Sequence, residues 1–426
     1  MKRKTFIILI SILLIFFVII SISGCSPSFV GLKDDTSSDN THSSDNSSNN
    51  TTNQPSAIAP PASYNITIKE GNPLPEGAYT FPETVERVET SVVSLYVTDP
   101  ETNSKSAGSA VFYGKDEETK KPVLVTCCHV IDYALTTNKQ TKITAVLHDG
   151  TEVECKILGG DDEEDLAILT ILDNDLQTIE GKYSTVSCRN KDENIKTGED
   201  VFAIGNPLGT LGGSVTKGIV SGKERVINMD GVSMNLLQID VAVNQGNSGG
   251  ALFDIAGNLI GIVNAKSTGS GVEGIGYAIH INDVQRVANS IIRTSGTEQY
   301  NHLGYVEGKV RLGVTVRIAK GQTNSYEYLI NELNPFGTVA VYNKQAADGN
   351  KIAVGDYINA VKKKDGAPIL FDKSNSLGDF IKDLKVGDQI IITIERRQYN
   401  IFGQITTTNT FDVELTMQQY VFGYTP

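Results

Sequence analysis

The chain has 426 residues, room for two or three domains, and its 37 basic against 50 acidic side chains leave a net charge of −13. That acidity, with no basic block after the first four residues, argues against nucleic-acid binding. Five irregularly spaced cysteines make neither a disulfide scaffold nor a paired C-x-x-C zinc site, and no metal or other cofactor is expected.

Lys2, Arg3 and Lys4 precede an apolar run from Phe6 to Ile22 broken only by serines, the layout of a secretory signal over residues 1–24. Ser23-Gly24-Cys25 closes it and resembles the bacterial lipoprotein box. That resemblance implies cleavage ahead of Cys25 and a lipid on its sulfur. An uncleaved membrane anchor is the other reading of the same run. In both, the remainder lies outside the cytoplasm and is held to a bacterial membrane. Residues 25–80 are expected to be a disordered tether. Ser26 to about Ala62 is dominated by Ser, Thr, Asn, Asp and Pro and cannot bury enough apolar surface to offset chain entropy.

From residue 81 to 298 the pattern is mainly β. Short runs rich in Val, Ile and Thr recur at 91–97, 109–113, 123–126, 142–147, 152–158, 166–172, 201–204, 214–220, 235–240, 251–253, 259–264 and 276–279. Their spacing between Gly, Asn and Asp turns predicts barrels or a sandwich. One helix closes the segment: Asn282 is the expected N-cap, Val284, Val287, Ile291 and Ile292 form a stripe, and Gly296 stops it. Residues 303–426 alternate strands with one or two short helices.

The sharpest local signal is Asn244-Gln245-Gly246-Asn247-Ser248-Gly249-Gly250. Glycines around a serine permit a tight turn and close approach of a substrate carbonyl. The N–H groups of Gly246, Asn247 and Ser248 could face a developing oxyanion. An α/β-hydrolase elbow would need a helix after the serine. Here a hairpin pattern follows, which disfavours an esterase or lipase. Of five histidines, only His129 ends an apolar strand. Asp165 opens another, where an acid needs a reason to be, while Asp161 to Glu164 read as a solvated turn. The order is His129, Asp165, Ser248, and an imidazole held by a carboxylate could activate the serine.

The strings Thr126–Val130, Asp165–Leu169, Ala203–Gly209, Gln238–Leu252 and Gly274–Ile279 resemble the HtrA (Deg) family of trypsin-like serine proteases. The resemblance implies a chymotrypsin-like double β-barrel. His129 would be the base, Asp165 its orienter, Ser248 the nucleophile, and Gly246 to Ser248 the oxyanion loop. Ala242 falls where relatives have the floor of the primary specificity pocket, and Ile275, Gly276 and Tyr277 would form its wall, so small or medium apolar side chains should be accepted. The chain departs from the family at Cys127-Cys128, Gln245, Ala110 and His280. Cys127 and Cys128 read as buried thiols, with pairing to Cys155 or Cys188 as the alternative.

Arg311-Leu312-Gly313-Val314, Phe336–Val341, Val354–Ile358 and Leu384–Asp388 resemble a PDZ domain. Leu312, Gly313 and Val314 would then be the loop that grips a peptide C-terminal carboxylate, and residues 374–384 the helix lining the groove. The expectation is a membrane-tethered serine endopeptidase for unfolded or partly folded polypeptides, with peptide C-termini as PDZ partners and homotrimers as in the family. The alternative is a non-catalytic PDZ-based binding protein or chaperone on a protease scaffold.

Overall fold

The computed structural model describes residues 66–71, 79–137, 141–190, 194–206, 210, 212–229, 232–265, 274–296, 298–320, 326–371 and 376–424. The apolar N-terminal run, Cys25 and most of the expected tether lie outside them. The chain divides into units 1–58 and 59–426, and every described residue belongs to the second.

Strands Lys105–Asp116, Val92–Thr98, Lys142–Val146, Glu152–Asp161, Leu166–Ile171 and Pro122–Cys127 pair antiparallel in that order. Lys105–Asp116 pairs again with Pro122–Cys127, which closes a six-stranded barrel. Leu166–Ile171 and Pro122–Cys127 are buried at every residue, which explains why their apolar runs are continuous rather than alternating. A second barrel runs Ala251–Asp254, Asp200–Gly205, Ser214–Met229, Val232–Ile239, Gly276–His280 and Asn258–Asn264. It closes where Asn258–Asn264 meets Ala251–Asp254. This is the expected chymotrypsin-like pair of barrels.

Ile66–Thr67 pairs with the first barrel, and Lys69–Gly71 adds to the second through Ser187–Arg189. Residues 66–71, placed by the sequence reading inside a disordered tether, are therefore strands. Ile66 and Ile68 alternate with polar residues and pack on the core, which outweighs the polar composition of their surroundings.

Helix Phe81–Val88 starts at a capping box, with Thr80 N donating to Glu83 Oε2 at 2.7 Å. Helix Ile281–Thr294 forms where its apolar stripe predicts, but its cap is His280 rather than Asn282: the His280 side chain accepts from Asn282 N. No disulfide joins Cys127, Cys128, Cys155 or Cys188, and all four are buried. Burial pushes the Cys155 and Cys188 thiols up to about 12, and Cys128 well above the usual thiol value, so none of these three is a ready thiolate.

The C-terminal sheet runs Val314–Lys320, Tyr326–Leu333, Tyr357–Lys363, Gln389–Tyr399 and Ile405–Thr416 around its own apolar core. Helices Thr338–Gln345 and Leu377–Lys382 pack with it, the PDZ-like arrangement that the sequence suggests. Ser376 caps the second by accepting from Asp379 N at 3.0 Å. Phe336 and Phe422 join the core of the barrels, so the C-terminal domain shares apolar contacts with them.

Candidate active site

Pro122–Cys127 ends at the barrel rim, and the chain turns at once into helix Cys128–Thr136. His129 therefore sits in a first helical turn, not on the strand as its sequence context suggests. Its backbone N donates to Asp165 Oδ1 at 2.9 Å, and Nδ1 lies 2.7 Å from Asp165 Oδ2. Two bonds from one carboxylate fix the ring and hold the proton on Nδ1, leaving the Nε2 lone pair for Ser248 Oγ at 2.9 Å.

Asp165 is 3% exposed and adopts φ +50, a left-handed conformation that Asp tolerates better than most residues. Its carbonyl accepts from Cys128 N at 3.0 Å, and Asn264 Nδ2 donates to its Oδ2 at 2.8 Å. Asn264 closes the apolar strand Asn258–Asn264. A buried polar residue at a strand end was the available signal, and the sequence reading passed over it.

The turn around Ser248 is set by glycine. Gly249 has φ +83, and a Cβ there would stand 2.1 Å from Ser109 O and 2.3 Å from Thr126 Oγ1. Asn247 N donates to Asn244 O at 3.0 Å, so it is spent within the turn and is not an oxyanion donor. The expected trio thus reduces to Gly246 N and Ser248 N, which have no acceptor among the described residues. Ser109, also missed in the sequence, supports this loop from the neighbouring strand. Its Oγ donates to Gly246 O and accepts from Asn206 N, both at 2.9 Å, and its N donates to Ser248 O at 2.8 Å. Donor atoms of Cys127, His129 and Asp165 lie within 4.8 Å of one another, the spacing of a metal cluster. The imidazole and carboxylate are committed to each other, however, and the thiol donates to Val263 O.

Ala242 is exposed beside this loop, and its carbonyl accepts from Asn247 Nδ2 at 3.4 Å. Asp240 precedes it closely in sequence, and its Oδ1 accepts from Ile219 N at 2.6 Å. Gly276 approaches Val243 so closely that a Cβ would lie 2.6 Å from its Cγ2. Ile275 is 44% exposed, and Tyr277 is half-buried opposite Asn264.

In the C-terminal domain, Arg311 O and Leu312 O accept from Thr338 N and Val339 N at the start of a helix. Gly313, at φ +83, packs on Gly337. A groove of about 920 Å³ follows this loop between Val314, Val316, Leu377 and Ile381, and its opposite wall includes Asp283 and Arg286 of the barrel domain. The turn Asp161 to Glu164 is not solvated as expected. Lys309 pairs with Asp161 and Glu163, Arg311 with Asp162 and Glu163, and Tyr420 donates to Asp162 at 2.8 Å.

The family described as trypsin-like peptidase domain matches residues 108–262, which include His129, Asp165 and Ser248. The chain is 32% identical over 310 residues to "Serine protease Do-like HtrA" of Bacillus subtilis (strain 168), covering 70% of this chain and 62% of that protein. It is 32% identical over 268 residues to "Probable periplasmic serine endoprotease DegP-like" of Rhizobium meliloti (strain 1021), covering 62% and 46%. The crystal structure of the serine endoprotease from Yersinia pestis aligns with 81% of this chain and 99% of its own, at 26% identity and a TM-score of 0.46. The chain spans less than two thirds of the length of both curated relatives.

Proposed function

Because the chain belongs to the HtrA family of trypsin-like serine proteases, we propose that it is an extracytoplasmic serine endopeptidase acting on unfolded or partly folded polypeptides. One observation carries the reading: Ser248 Oγ, His129 and Asp165 are joined in series by bonds of 2.9 and 2.7 Å, beside two N–H groups that have no acceptor among the described residues. Ser248 Oγ attacks the peptide carbonyl while His129 Nε2 takes its proton, then returns it to the leaving amine. Asp165 stabilises the imidazolium, and Gly246 N and Ser248 N receive the oxyanion. Water then releases the acyl chain by the same proton relay.

Ala242 and the strand at Ile275, Gly276 and Tyr277 would bound a pocket for small or medium apolar side chains. The C-terminal domain binds polypeptide C-termini at Leu312, Gly313 and Val314, where a docked peptide would extend the sheet at Val314–Lys320. Cys25 carries the lipid that tethers the chain, and trimers form through the barrel domain. In this organisation residues 81–298 are the protease and 303–426 the peptide-binding domain.

Ser248→Ala should abolish fluorophosphonate labelling and cut hydrolysis of an unfolded protein by several orders of magnitude, with unfolding unchanged. Turnover near wild type in that variant would remove Ser248 from the mechanism and leave a binding protein as the better reading. Product peptides ending mainly in Lys or Arg would overturn the apolar pocket.

A further inference from the structure

We propose that the outer end of the hairpin Gln389–Tyr399 and Ile405–Thr416 is a membrane-contacting tip, inserting into the bilayer to which the N-terminal segment holds the chain; this rests on the tethered reading above. Ile401 is 93% exposed and Phe402 81%, with Tyr399 and Ile405 at 50% on either side. The tip is ordered by its own hydrogen bonds. Asn400 Oδ1 accepts from Phe402 N at 2.9 Å and Gln404 N at 3.0 Å, Asn400 N donates to Gln404 O at 2.9 Å, and Gly403 turns the chain at φ +75. The fold thus presents two adjacent large apolar side chains to solvent on a built turn.

The charge pattern points to lipid. Residues 398–410 contain no Asp, Glu, Lys or Arg, in a chain where these make up 20% of residues and the net charge is −13. The guanidiniums at the base of the hairpin are paired inward, Arg396 with Asp356 and Arg397 with Glu327 and Glu395. An acidic protein is repelled by an anionic surface, and this hairpin end is a part that approaches one without that penalty. Tyr399 and the exposed threonines 406, 407, 408 and 410 suit the headgroup layer, and Ile401 and Phe402 the acyl boundary.

Size and shape favour a bilayer over a protein partner. A stable protein interface buries roughly 1,200–2,000 Å² with a packed core, which a convex tip of two side chains does not offer by itself. A bilayer needs no complementary pocket. A chain already held by a lipid on Cys25 starts at high local concentration, so a weak second contact is enough.

The chain has no tryptophan, so Phe402→Trp places a single reporter at the tip, and Ile255→Trp, at another exposed turn, serves as control. Each full-length variant is mixed with phosphatidylcholine vesicles containing a minor fraction of phosphatidylglycerol, and flotation is measured on the same samples. The expected result is a blue shift at position 402, with quenching by brominated acyl chains, and neither effect at 255. Flotation with unshifted emission at 402 overturns the tip and leaves the tether standing. A blue shift at 402 without flotation overturns the tether alone, and absence of both overturns both. A shift that needs no vesicles and grows with protein concentration means that the tip docks on a second copy, which also overturns the proposal.

Discussion

Lys309 Nζ, at the entrance to the C-terminal domain, lies 2.7 Å from Oδ1 of Asp161, the residue that opens the turn ending at Asp165. Burial opposes the Lys309 charge, but Asp161 and Glu163 outweigh it and hold its pKa above the ordinary lysine value. The turn that leads into Asp165 is thus tied to the C-terminal domain. Lys309→Met leaves Asp161, 2% exposed, as a buried charge without that partner. The variant should lose about 3–5 kcal/mol of stability, the usual cost of breaking one side of a buried pair. Adding Asp161→Asn should recover part of it. Urea unfolding reads both, and a change within about 0.5 kcal/mol for Lys309→Met would show that the bridge braces nothing.

Ser109 Oγ donates to Gly246 O and so ties the loop proposed to receive the oxyanion to the neighbouring strand. Ser109→Ala should therefore lower kcat by about 10- to 100-fold with KM within about twofold, because the loss falls on the transition state. Affinity for a peptide boronate should fall in parallel. A variant that loses thermal stability while kcat holds would reduce Ser109 to a packing residue.

Asn264 donates to the same Asp165 oxygen that faces the imidazole. A hydrogen bond to a charged group contributes about 1.5–3 kcal/mol, so Asn264→Ala should cost roughly 10- to 100-fold in kcat/KM. Asn264→Asp should cost more, since it sets a second carboxylate against Asp165. Wild-type kinetics for both variants would exclude a role for Asn264 in holding the acid.

Burial pushes the pKa of His280 below the ordinary histidine value, against the opposing pull of Asp283 and Glu224. Its neutral Nδ1 accepts from Asn282 N at 3.0 Å and caps helix Ile281–Thr294. As pH falls below about 6.5 the unfolded chain takes up this proton first. Stability therefore rises with pH between the folded value and 6.5, and the contribution is lost on acidification. An N-cap is worth about 1 kcal/mol. His280→Asn keeps an acceptor without the titration, so wild type should lose about that much relative to it between pH 7 and 5. Parallel pH profiles for the two proteins would contradict this.

The double barrel was legible because fully buried strands such as Leu166–Ile171 must be continuously apolar, and turn residues punctuate them. His129, Asp165 and Ser248 were legible as well, since a polar residue at the end of a buried strand, or between glycines, needs a chemical reason. The helix Cys128–Thr136 was hidden because its short sequence continues the apolar pattern of the strand before it. Asn264 and Ser109 were unreadable as partners of the site, because hydrogen bonds between residues 99 and 137 positions apart depend on barrel closure and leave no local period. The acidic turn was misread for the same reason: charge in sequence looks solvated until Lys309, Arg311 and Tyr420 arrive from a different domain. Local propensity and periodicity thus determined the elements and their candidate groups, while tertiary closure alone decided which donor met which acceptor.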